Sequence, residues 1–191
     1  GVEWDAVELP SQFMENFCWE WEVLQQMTAH VDTGLPLPRD LYDKMLAAKN
    51  FQNGLTTMRQ LVFSLTDWRL HSQFDSPVAK GQAVLDLART INNQFHVIPQ
   101  ATISRWPNTF SHIFAGGYAA GYYSYLWAEV LSADAFSRFE EEGVFNPQTG
   151  QDFLHCILER GGSAEPMELF KGFRGREPSN EALLRHMGIA S

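Results

Sequence analysis

Cysteine, charge and long apolar runs are all scarce in this 191-residue chain. Cys18 and Cys156 are its only cysteines. They are too few for a disulfide framework and too far apart for a CxxC zinc site, so a reducing, cytoplasmic setting is expected. No stretch approaches the roughly 18 uninterrupted apolar residues of a membrane span. The first residues, Gly1-Val2-Glu3-Trp4-Asp5, lack the basic and apolar regions of a signal peptide. Charged residues are 19% of the chain, against roughly 25% in an average globular domain, which points to surface meant to be covered. Positive charge is the scarcer sign. Fourteen Lys and Arg against 23 Asp and Glu leave a net charge of −9, which argues against nucleic-acid or anionic-membrane partners. Hydrophobic residues, by contrast, reach 45% and aromatics 13%, enough for a sizeable core and against disorder.

The patterning is helical almost throughout, with no repeat, no low-complexity tract and no convincing strand. Phe13, Phe17, Leu24 and Met27 recur at helical spacing over 10–29, and Pro10 suits a first helical turn, where its missing N–H costs nothing. Thr33-Gly34-Leu35-Pro36-Leu37-Pro38 breaks that helix. Leu41, Met45 and Leu46 indicate a short one, and 51–74 a long one. In the long helix Leu61 and Trp68 fall on one apolar stripe. Asp75-Ser76-Pro77 reads as a break with a cap, and 78–94 as the next helix. From 95 to 117 the periodicity fails, around Pro99, Pro107, Gly116, Gly117 and the aromatics Trp106, Phe110 and Phe114. A loop that long is uncommon inside a compact domain and is often functional. Helices are expected again over 118–142, from Asn146-Pro147 to Gly161-Gly162, from Ser163-Ala164-Glu165-Pro166, and over 179–187 with Gly188 as the stop. The fold class is all-α, one helical region over 1–191.

Two groups of residues could carry chemistry. Glu8 and Glu15 are seven apart, so a helix through both places two carboxylates on one face. A carboxylate among Val7, Leu9 and Pro10 needs a cation if it is desolvated, and zinc accepts glutamate oxygen. The helix macrodipole equally favours a glutamate at a helix start. The second group is His112-Ile113-Phe114-Ala115-Gly116-Gly117-Tyr118-Ala119-Ala120-Gly121-Tyr122-Tyr123-Ser124-Tyr125. A helix from Tyr118 gives Tyr118, Tyr122 and Tyr125 a common face, where phenol hydroxyls can serve an oxyanion or a peptide carbonyl. An aromatic stripe with wetted hydroxyls is the other reading. His155 and Glu159 are most simply an i, i+4 surface pair. Glu140-Glu141-Glu142 sits oddly at a helix C-terminus, where cations are favoured. Arg160, Arg174, Arg176 and Arg185 could clamp a carboxylate, with Glu165, Glu168 and Glu177 as the ordinary partners.

Val7-Glu8-Leu9-Pro10-Ser11-Gln12-Phe13-Met14-Glu15-Asn16-Phe17 resembles the segment that supplies the third zinc ligand in the thimet oligopeptidase/neurolysin family of zinc metallopeptidases. Phe110 through Gly116-Gly117-Tyr118 to Tyr125-Leu126-Trp127 resembles that family's Gly-Tyr substrate loop. The likeness continues through 136–143 and 170–178, and so covers essentially the whole chain. It implies a mainly helical, zincin-like catalytic domain of the neurolysin type that hydrolyses internal bonds of short peptides, with zinc as cofactor. Glu8 matches the carboxylate zinc ligand. Tyr118 and Tyr125 match the tyrosines that meet the substrate carbonyl or the tetrahedral intermediate. His112, Gly116, Gly117 and Tyr122 match substrate-contacting positions, which makes 95–121 the substrate-facing loop.

That family's two histidine ligands and general base belong to an HExxH helix, and none of the six histidines here begins that motif. The resemblance places it ahead of the Glu8 segment. The chain is therefore expected to be the C-terminal part of a larger peptidase, whose missing N-terminal part is its partner, and to be inactive alone. The competing expectation is a non-catalytic helical module that binds peptides or another protein through the aromatic loop.

Overall fold

In the computed structural model, which describes residues 2–75 and 81–189, every regular element is helical. The α-helices are α1 (Leu9–Asn16), α2 (Trp21–Met27), α3 (Arg39–Ala48), α4 (Asn53–Ser72), α5 (Gly81–Phe95), α6 (Ser111–Phe114), α7 (Ser124–Glu142), α8 (Pro147–Phe153), α9 (Pro166–Arg174) and α10 (Glu181–His186). No strand occurs among the described residues, so the all-α class holds. The break expected at Ser76-Pro77 and the helix start at Val78 lie outside the described residues. The chain divides into two compact units, Gly1–Phe51 with Trp127–Ser191, and Gln52–Leu126.

The first unit is built on phenylalanine. Phe13 of α1 stacks on Phe153 of α8 with ring centroids 3.9 Å apart, and packs against Phe136 and Phe139 of α7. Leu169, Phe170 and Phe173 of α9 complete this core. The helix expected over 10–29 is two helices. Phe17–Trp19 tightens to a 3₁₀ turn and Glu20 is extended. The hydroxyl of Tyr42 donates to the Trp19 carbonyl at 2.8 Å, so a side chain takes the place of the next helical amide. At α8 the expected start holds: Asn146 Oδ1 accepts the Gln148 and Thr149 amides, and Pro147 follows it.

The acidic run at the end of α7 is fully paired. Glu140 bonds Arg185 and His186, Glu141 meets Arg174, and Glu142 accepts from Arg138 and from the Thr149 hydroxyl. Burial raises the Glu140 carboxyl, but His186 and Arg185 outweigh it and hold the group below the ordinary carboxylate range. Arg174, Arg176 and Arg185 form ion pairs while Arg160 donates to the Ser163 hydroxyl, and Glu177 is taken by Lys171 at 2.7 Å rather than by an arginine. Arg174 and Arg176 instead converge on Asp134 of α7, whose carboxylate is fully buried. Asp134 also accepts the Ser179 backbone N–H at 2.6 Å.

In the second unit α4 packs on α5. The face that α4 buries is Val62, Thr66 and Asp67. Trp68 is 52% exposed, so the Leu61–Trp68 stripe is not the buried one. Two polar residues on the buried face hide it from a hydrophobicity pattern. The span 95–117, read as a loop, contains a 3₁₀ turn at Trp106–Thr109 and the single turn α6. Phe110, Ile113 and Tyr122 form its core with Phe63, Leu70, Trp106 and Tyr125 around them.

Candidate active site

Glu8 stands at the start of α1, one residue before the helix proper, and is half-buried. Its carboxylate Oε2 accepts the Ser11 hydroxyl at 2.6 Å, and its backbone carbonyl accepts the Gln12 amide at 3.0 Å. The serine three residues on therefore orients one carboxylate oxygen. Glu15, at the far end of α1, is exposed. Near it lies Glu129 of α7, whose carboxyl is raised by burial and further by Glu15.

The residues of the second group come together within the second unit. The rings of Tyr118 and Tyr125 stack with centroids 5.1 Å apart, and Tyr122 lies 5.2 Å from Tyr125. The His112 ring is 6.0, 5.5 and 5.9 Å from Tyr118, Tyr122 and Tyr125. The route to this cluster is not the expected one. The helix expected from Tyr118 begins at Ser124, and 119–123 are turn, with Ala120 in the left-handed region at φ +58°. The common face of Tyr118, Tyr122 and Tyr125 is a product of that turn.

Each cluster member has a distinct setting. Tyr118 and Tyr125 are half-buried and His112 is exposed. Tyr122 is buried, and its hydroxyl donates to Gln60 Oε1 at 3.1 Å. Burial pushes the Tyr122 phenol up, Tyr125 adds to this and Arg59 partly offsets it, so the group stays protonated. The two glycines ahead of Tyr118 serve geometry. A Cβ on Gly116 would stand 3.0 Å from the His112 carbonyl oxygen, and Gly117 has φ +85°. The Tyr118 amide then closes the turn on the His112 carbonyl at 2.9 Å.

A residue that the patterning does not disclose holds this turn. Asp67 of α4 is 1% exposed. Its Oδ1 accepts the Ala120 amide and its Oδ2 the Tyr122 amide, both at 2.9 Å. His71, one helical turn on, brings Nδ1 to 2.9 Å from Oδ1 and 2.8 Å from the Asp67 carbonyl. Both neighbours of that nitrogen are acceptors, so Nδ1 carries the proton. The available signal was an aspartate at i+4 between Phe63 and Leu70, with a histidine four residues further on.

Among the described residues no three His, Cys, Asp or Glu side chains gather as a metal site. Glu8 fits the part of a single carboxylate ligand, with oxygen of the type zinc accepts and a hydroxyl orienting it. A complete site needs two further ligands. His155 and Glu159 pair at 2.7 Å and both are exposed, the plain surface pair that their spacing suggests. Both cysteines are free thiols. No helix among the described residues is long and apolar enough to cross a membrane.

Comparison with known proteins agrees with the motifs. The model of peptidase family M3 matches residues 1–189. The chain is 62% identical over 189 residues to oligopeptidase A of Salmonella typhimurium, a match covering 99% of this chain and 28% of that protein. It is 61% identical over 189 residues to oligopeptidase A of Escherichia coli, with the same coverage. To saccharolysin of Saccharomyces cerevisiae it is 33% identical over 190 residues, covering 99% of this chain and 26% of that protein. The chain thus spans little more than a quarter of the curated relatives it matches. With the family model matched almost end to end, the chain belongs to peptidase family M3.

Proposed function

We propose that this chain is the C-terminal portion of a zinc-dependent oligopeptidase of the oligopeptidase A kind, acting on internal bonds of short peptides in the cytoplasm. The observation that carries the reading is the packing of Tyr118, Tyr125 and His112 around the turn between α6 and α7, with two half-buried phenols stacked side by side. Hydroxyls on a rigid turn are pre-organised donors for charge that develops on a carbonyl oxygen. In this reading Tyr118 and Tyr125 donate to the scissile carbonyl as it gains charge. His112, Gly116 and Gly117 line the substrate, and Tyr122 supports the turn from its buried place on Gln60.

Glu8 would contribute one ligand to zinc, oriented by Ser11. Zinc, when bound, supplies Lewis-acid polarisation and an acidified water. The HExxH histidines and general base would come from the rest of the enzyme, and the 191-residue chain by itself is expected to be inactive.

Zinc stoichiometry and cleavage of a fluorogenic peptide are to be measured on the longer enzyme and on this chain. The longer enzyme is expected to bind one zinc per chain and turn over, and its Glu8→Ala variant to lose both. Stoichiometric zinc with turnover by the 191-residue chain would refute the division of ligands. A longer enzyme that binds the peptide without cleaving it would favour the non-catalytic module.

A further inference from the structure

We propose that Asp67, steadied by His71, is the positioning residue for Tyr118: it captures the backbone amides of Ala120 and Tyr122, the second of which would otherwise bond the Tyr118 carbonyl in a longer α7, and so keeps 119–123 a turn. The functional side of this rests on the peptidase reading above; the conformational side does not.

The sequence from Tyr118 onward is patterned as helix, and nothing in its composition stops a helix there. In such a helix the Tyr122 amide would bond the Tyr118 carbonyl, while the Ala120 amide, in the first turn, would have no intrahelical partner. In the structure both amides go to Asp67. The Tyr118 carbonyl is left to the Gly121 amide at 2.9 Å, a turn bond rather than a helical one. Ala120 sits at φ +58°, a conformation unfavourable for a residue with a Cβ and kept only where its surroundings impose it. Asp67 is the group that imposes it.

The placement of Asp67 is otherwise hard to justify. A carboxylate in a helix interior has poor helix propensity, and a buried one calls for a cation. No lysine or arginine pairs with Asp67 among the described residues. Its partners are the amides of one turn and the His71 imidazole, which holds Oδ1 from the side. Tyr118 lies between two fixed points: its own amide is held by His112, and the turn two and four residues on is held by Asp67. Releasing the second point lets α7 grow toward Tyr118 and turns its ring away from Tyr125. Asp67 touches no substrate in this account; it acts through Tyr118.

Two measurements test this together. On the full chain, hydrogen exchange at the Ala120 and Tyr122 amides is compared between parent, Asp67→Asn and Asp67→Ala. Loss of the carboxylate is expected to change protection at these two amides selectively, leaving the α5 amides unaltered. On the zinc-loaded longer enzyme, kcat and KM are measured for Asp67→Ala, Tyr118→Phe and the double variant, with zinc content and thermal unfolding as checks on folding. Asp67→Ala is expected to lower kcat about 10²-fold, the cost of an ångström-scale misplacement, with KM within about threefold. In the Tyr118→Phe background the same change should cost less than about threefold, because coupled residues are not additive.

Full additivity of the two losses overturns the proposal, as does unchanged exchange at both amides. If Asp67→Ala does not fold, Asp67→Asn keeps the shape with one acceptor fewer and is held to the same coupling criterion. Should Tyr118→Phe alone leave kcat unchanged, the peptidase role of Tyr118 fails, while the exchange result still decides whether Asp67 holds the turn.

Discussion

Asp67 and Tyr122 are separated by 55 residues, yet Oδ2 of one accepts the backbone N–H of the other at 2.9 Å. The same device recurs in the other unit, where buried Asp134 accepts the Ser179 amide 45 residues away. In each case a helix-borne carboxylate with almost no exposure fixes a segment distant in sequence. The accompanying charge differs: Asp67 has one imidazole and Asp134 two guanidiniums. A hydrophobic pattern carries no trace of either, since it registers an aspartate only as an interruption.

Tyr118→Phe removes a single hydroxyl from the stacked pair and leaves the ring contact with Tyr125 in place. On the peptidase reading it should lower kcat of the zinc-loaded enzyme by roughly 10²–10³, the usual effect of losing one oxyanion donor, with little change in KM. Steady-state kinetics on a short peptide reads both constants. A wild-type kcat reduces Tyr118 to packing.

Gly116→Ala tests the turn from its other side. The new Cβ would stand 3.0 Å from the His112 carbonyl oxygen and 3.1 Å from the His112 Cα, both backbone atoms that cannot swing aside. The strain of such overpacking is about 1–3 kcal/mol. The turn relieves it by shifting the Tyr118 amide off His112, so turnover should fall while the helical circular dichroism stays near that of the parent. Gly150→Ala, with nothing within 4 Å of its Cβ, is the matched control and should leave turnover as it was.

The fold was largely legible because its elements are amphipathic helices closed by strong local signals. Asn146-Pro147 opens α8 where expected, and α9 starts at Pro166. The two misplaced helix boundaries share one physical source, a side chain from elsewhere that takes a backbone group. Tyr42 takes the Trp19 carbonyl and splits the helix expected over 10–29. Asp67 takes the Ala120 and Tyr122 amides and shortens the one expected over 118–142. At the candidate site the aromatic residues were legible from spacing and resemblance. Their support was not, because Asp67, Gln60 and His71 belong to a helix whose buried face includes polar residues. Arg174 and Arg176 have the right kind of partner in another place, since periodicity does not reveal which distant helix carries an aspartate inward.

Asp134→Ala leaves Arg174, with its side chain 7% exposed, facing a void where its carboxylate was. Breaking a buried pair by removing one partner costs about 3–5 kcal/mol. Denaturant unfolding of the chain should show a loss of that size. His155→Ala, which removes an exposed pair, should change stability by less than about 1 kcal/mol. Equal effects from the two substitutions would mean that the Asp134 cluster is no more than a surface network.

Glu129 gives the pH test. Burial, and after it the charge of Glu15, raise its carboxyl above the ordinary carboxylate value. In the unfolded chain the group returns to about 4.3. Between that value and the raised one the native state therefore holds more protons than the unfolded state, and stability falls as pH rises through this window. Above this window the fold bears the full cost of the raised carboxyl; below the carboxylate range the group is protonated in both states and the cost is gone. Glu129→Gln, which keeps the shape without the charge, should melt higher than the parent at about pH 7. That advantage should shrink toward zero near about pH 4. Thermal unfolding of both proteins across that range checks the sign. An advantage that grows on acidification would mean that Glu129 is stabilised by a cation rather than opposed by burial and by Glu15.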